Sequence, residues 1–218
     1  MPLYQSRETL LAALDPANVE PNDVASIVKA ASLELRGEKD VMLVAIKSAE
    51  SHMVNVLKLA SESLLADRDF VYELITSEYG QHHAILKHVA PTVAADHEVV
   101  AAAVNRSCWA FRWASDELKA NRELAMMAVS QKGCGALLGS VSKSLVGSAG
   151  NADTELVLTA VNTSCDALEY VEELGNDRDL MLAVVRLNGD CIEHISDELK
   201  ADREIVAEAV SAPGYQLR

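Results

Sequence analysis

The chain has 218 residues, half of them hydrophobic, only 4% aromatic, with a formal net charge of −14. An acid excess of that size repels phosphate backbones and anionic bilayers, so neither nucleic acid nor direct membrane insertion is expected. The longest apolar runs, such as Val99 to Val104, are far short of the roughly 20 residues a membrane-spanning helix needs, and the N-terminus has no basic segment leading into an apolar stretch.

Residues 1–37 read as an N-terminal helical cap: a helix after Ser6, a Pro-containing connection from Asp15 to Pro21, and a second helix from about Asn22 to Gly37. From Glu38 a phrase recurs seven times: Glu38-Lys39-Asp40, Asp67-Arg68-Asp69, Asp96-His97-Glu98, Asn121-Arg122-Glu123, Asp153-Thr154-Glu155, Asp177-Arg178-Asp179 and Asp202-Arg203-Glu204. The first residue carries a side-chain oxygen suited to the free amides of a helix start, and the acid two positions on suits the positive end of the helix dipole. Six residues further lies a β-branched residue in every copy (Ile46, Ile75, Val104, Val129, Val161, Val185, Val210), preceded in five copies by Ala. Apolar residues at this spacing make one buried stripe, and the small residue lets a neighbouring helix approach closely. Helices are therefore predicted to start near residues 39, 68, 97, 122, 154, 178 and 203.

A second helix is predicted after each of the first six, from triplets such as Phe111/Ala114/Leu118, Leu168/Val171/Leu174 and Ile192/Ile195/Leu199. Connections as short as Lys119-Ala120 fold successive helices into antiparallel hairpins. The fold class expected is all-α: an α-solenoid of about six to seven degenerate repeats, stacked hairpins 24 to 32 residues apart. Residues 38–145 form the first stack. The Gly/Ser-rich stretch 146–152 is expected to be a hinge loop, and 153–218 a second, acidic stack with 15 acids against 5 bases, ending in a half repeat.

The four cysteines, Cys108, Cys134, Cys165 and Cys191, recur at spacings of 26, 31 and 26 and track the repeat. That pattern reads as small buried fillers in a soluble protein of a reducing compartment, either the cytoplasm or an organelle entered with a removed transit peptide. Zinc would call for CxxC or HxxxH, and neither occurs, so no metal or cofactor is expected. His82 and His83 read as polar surface, their side chains on different faces of a helix. The acids are accounted for by capping and solvation, no nucleophile is spaced with a base, and no catalytic residue is assigned.

The phrases Ala114-Ser115-Asp116-Glu117-Leu118-Lys119-Ala120-Asn121-Arg122-Glu123 and Ile195-Ser196-Asp197-Glu198-Leu199-Lys200-Ala201-Asp202-Arg203-Glu204 resemble a helical repeat family catalogued only as a domain of unknown function, with units of the type ASxELKxDREIVxxAV. The resemblance is strongest from Asp153 to Ala212 and around Asp96 to Val129. It implies a helical repeat fold and brings no catalytic residues.

The function expected is a non-enzymatic protein–protein interaction scaffold or adaptor, a subunit of a larger assembly. Its partner would be a protein, one with a basic surface matching the acids Glu169, Glu172, Glu173, Glu193 and Asp197. Trp109 is a candidate hot spot, and Val206 and Val210 are candidates for oligomerisation through the C-terminal half repeat. The alternative is a small-molecule or pigment binder built on a Cys108/Trp109/Trp113 patch, with the two tryptophans on one side of a helix.

Overall fold

In the computed structural model, residues 3–80, 82–147, 152–171 and 174–213 are described. Among them no strand forms, and the one isolated bridge joins Tyr4 to Ala31. The chain divides into two compact units, Met1–Ser115 and Asp116–Arg218.

In chain order the first unit contains α1 (Arg7–Ala13), α2 (Val24–Lys29), α3 (Lys39–Ala49), α4 (Met53–Leu57), α5 (Glu62–Leu65), α6 (Arg68–Thr76), α7 (Pro91–Ala94) and α8 (His97–Arg106). The second contains α9 (Asp116–Lys119), α10 (Arg122–Val129), α11 (Lys143–Val146), α12 (Thr154–Thr163), α13 (Arg178–Leu187), α14 (Asp197–Lys200) and α15 (Arg203–Ser211). The seven long helices thus begin where the recurring phrase places them. At six of the seven starts the cap side chain accepts a backbone N–H, as in Asp96 from Val99 at 3.0 Å and Asn121 from Leu124 at 3.0 Å. Glu38, one methylene longer, makes no such bond and pairs with Arg7 instead.

The stripes fill the cores. In the first unit Phe70, Val71, Ile75, Val99, Val100, Val104 and Phe111 are wholly buried, and in the second Leu124, Ala128, Val129, Leu156, Ala160, Val184 and Ile205 are too. Each large side chain buried in this way contributes about 1.5–3 kcal/mol. The small residues are where helices come close: Ala45, Ala128, Ala160 and Ala209 are all 0% exposed.

The second arm of the repeat differs from the expected single helix. It is a 3₁₀ turn followed by a four-residue α-helix, as in Cys108–Trp113 then Asp116–Lys119, or Gly189–His194 then Asp197–Lys200. The break comes from the Ala-Ser or Ile-Ser step inside the repeat phrase. Ala114 and Ile195 are extended, at ψ 156 and 169, and Ser196 caps α14 by accepting from Leu199 N–H at 3.4 Å. A residue that competes for its own backbone ends one helix and starts another.

These short arms are joined by a recurring main-chain bond across one repeat. Ser61 N–H donates to Arg36 O (3.0 Å), Ala90 to Leu65 (2.9 Å) and Ser115 to Ala94 (3.0 Å) in the first unit; Ser142 donates to Lys119 (3.0 Å) and Ser196 to Gly175 (3.4 Å) in the second. The start of one short helix is thereby tied to the end of the short helix of the preceding copy, as for Ala90, Ser115 and Ser142.

The Gly/Ser-rich stretch falls inside the second unit, with 148–151 outside the described residues. The expected division into stacks is not drawn there. Val146 O accepts from Asp153 N–H at 3.1 Å, and α10 and α12 pack together.

Candidate functional site

Within each unit, arginines clamp one copy of the phrase to the next. In three copies of the phrase the residue after the cap is an Arg that reaches the cap acid and the second acid of the next copy: Arg122 Nε to Asp153 (2.6 Å) and its Nη2 to Glu155 (2.5 Å), Arg178 to Asp202 (2.9 Å) and Glu204 (2.6 Å), and Arg68 to Asp96 (2.8 Å) and Glu98. Arg7 does the same to Glu38 and Asp40, both at 3.2 Å, so the expected N-terminal cap contributes a clamp of its own. Ser48, buried in α3, adds a bond to Leu14 O at 2.7 Å. Asp96, Asp153 and Asp202 are thus helix caps and clamp anchors at once.

The clamps set a pH dependence. The Arg122 guanidinium and the Leu156 amide hold the Asp153 carboxyl below the usual carboxylate range; Arg178 and the Ile205 amide do so for Asp202, and the Val99 amide and Arg68 for Asp96. A carboxylate held lower in the folded than in the unfolded chain adds stability above its unfolded value, near pH 4, and loses it as pH falls through the folded value. The Arg122→Gln/Arg178→Gln variant should therefore show a shallower loss of stability between about pH 4 and pH 2 than the parent. Denaturant melts across that range measure it.

The tryptophan patch is not assembled. Residues 108–113 form a 3₁₀ turn with about three residues per turn, so Trp109 and Trp113 at i, i+4 point about 120° apart. Trp109 is 37% exposed, whereas Trp113 lies under Lys87, whose Nζ stands 4.9 Å from the ring centre. Cys108 and Phe111, three apart, share the inner face and are buried. No described cysteine is a free thiol. The alternative binding patch thus lacks both its common face and its thiol.

Cys165 and Cys191 are disulfide-bonded, with Cα atoms 5.2 Å apart. This corrects the reading of these cysteines as unpaired fillers. The bond joins the first residue of the Cys165–Tyr170 turn to the third of the Gly189–His194 turn, the matching turns of consecutive copies, which pack against each other.

Of the acidic candidates, Glu169, Glu193 and Asp197 are exposed or nearly so, while Glu172 and Glu173 lie outside the described residues. Asp197 pairs with Lys200 of its own helix at 3.5 Å, and Glu169 Oε1 lies 3.7 Å from His194 Nδ1. His82 and His83 stack, ring centres 4.9 Å apart, on a turn and not on the helix expected there.

Val206 and Val210 are the largest departure from the pattern of the second unit. Their counterparts Ala125 and Val129 on α10, Val157 and Val161 on α12, and Met181 and Val185 on α13 are at most 1% exposed, yet Val206 is 36% and Val210 51% exposed. Ile205 and Ala209, on the same helix, are fully buried against α13 and the Gly189–His194 turn. Sequence reasoning found this face through the stripe. It missed the clamp, although Arg at the second position of the phrase was the visible signal.

The family described as "Domain of unknown function (DUF4116)" matches residues 96–146, 153–200 and 177–218. No curated protein and no solved structure matches the chain. No helix among the described residues is long and apolar enough to cross a membrane.

Proposed function

The chain belongs to the DUF4116 family, and from that premise we propose that it is a non-enzymatic interaction scaffold whose α15 face receives a helical unit of another protein or of a second copy. The observation that carries this reading is the exposure of Val206 and Val210 at positions buried on α10, α12 and α13. Apolar positions built to be covered favour a partner that supplies the cover. Acidic Glu193 and Asp197 on the neighbouring arm favour one with a basic rim. The disulfide fits an oxidising setting better than a reducing cytoplasm.

The Val206→Glu/Val210→Glu variant tests the reading. Both side chains face solvent at least in part, so the fold should survive, while light scattering should show loss of self-association, or affinity capture loss of a stoichiometric partner. A parent chain that is monomeric and partnerless, with the variant unchanged in solubility, would contradict it.

A further inference from the structure

The geometry points to a binding site for one divalent transition-metal cation, formed by Asp166, Glu169 and His194. One ligand atom from each lies within 4.8 Å of the other two. The set combines an imidazole nitrogen with two carboxylates, a borderline donor set with the charge to balance a dication and the composition that suits zinc or its first-row neighbours.

The backbone places these groups before any ion arrives. Asp166 and Glu169 are three apart on the Cys165–Tyr170 3₁₀ turn, and three residues is one turn of such a helix, so they share a face. His194 closes the corresponding turn of the next copy, Gly189–His194. The Cys165–Cys191 bond ties the two turns together one residue from Asp166 and three from His194. Ser164 Oγ donates to Asp166 Oδ2 at 3.2 Å, an outer contact of the kind that orients a ligating carboxylate. His194 is the least exposed of the three side chains, and the Glu169 and His194 pair borders a concavity also lined by Asn176 and Ser196.

The side chains are not already satisfied by one another. At 3.7 Å the Glu169–His194 separation is too long for a hydrogen bond, and it is near the spacing of about 3–3.5 Å that two ligands take on an ion bound at about 2.1 Å. Three protein ligands leave the remaining coordination positions on the solvent side. The three lie on two copies of the repeat, which is why no short ligand motif marks them in the sequence.

The test is zinc titration of the full, oxidised, EDTA-stripped chain by calorimetry, with equilibrium dialysis for stoichiometry. One equivalent should bind saturably. His194→Gln and Asp166→Asn should each weaken that binding at least tenfold, while Glu198→Gln, an exposed acid outside the cluster, should leave it unchanged. Circular dichroism melts confirm that each variant folds, and Glu169→Gln replaces any that does not. Absence of saturable one-equivalent binding, or a folded His194→Gln chain that holds zinc as tightly as the parent, overturns the site; in the second case the ion lies on another group such as His82 and His83.

Discussion

Replacing Cys165 and Cys191 together by Ala should destabilise the second unit by about 3–4 kcal/mol, the loop-closure entropy released when a cross-link spanning 26 residues is removed. Alanine is the right replacement because Cys191 is fully buried, where a serine hydroxyl would add a desolvation cost of its own. Urea melts of the oxidised parent and of the double variant give the difference. A reductant should then destabilise the parent by more than it destabilises the variant. Equal stability of the two proteins would mean that the bond does not form in solution.

Gly135→Val should cost about 3 kcal/mol or more. A Cβ at Gly135 would stand 2.2 Å from the Ala160 carbonyl oxygen and 2.8 Å from Thr163 Oγ1. The carbonyl belongs to the last turn of α12, and Thr163 is itself held, its hydroxyl donating to Val129 O at 3.2 Å. Backbone meets backbone there, so no flexible side chain can yield. Gly133 makes the control: a Cβ on it would touch nothing within 4 Å, and only its φ of +76° opposes substitution. Gly133→Ala should therefore cost only about 1 kcal/mol. Thermal melts that rank Gly133→Ala as the more damaging of the two would contradict the close approach of the Gly135 turn to α12.

The long helices were legible because three independent local signals coincide at each start. A capping oxygen, an acid in the first turn and a stripe at helical spacing are all properties of consecutive residues. The N-terminal copy of the clamp was legible in principle from Ser6-Arg7-Glu8, which precedes Glu38 by 32 residues, the same interval that separates Asn121 from Asp153. It was hidden because Thr9 stands where the other copies carry their first apolar residue.

What the sequence concealed depends on residues from two copies meeting. Cys165 and Cys191 read one at a time as fillers, yet they stand on matching 3₁₀ turns of consecutive copies, and those turns pack against each other. The Asp166/Glu169/His194 grouping escaped notice for the same reason, since no short ligand motif spans two copies. Trp109 and Trp113 misled in the opposite way. Their spacing was judged on an α-helix, and the 3₁₀ turn moved them apart.

One register of stacking underlies the clamps and the disulfide of the second unit: the matching elements of consecutive copies lie against each other. Non-reducing peptide mapping tests it most directly, on protein folded in an oxidising buffer and alkylated before digestion. The register predicts a linked peptide pair joining Cys165 to Cys191, because the ladder holds the Cα atoms of these two positions 5.2 Å apart. Recovery of Cys191 as an alkylated thiol, or joined to a cysteine other than Cys165, would contradict it.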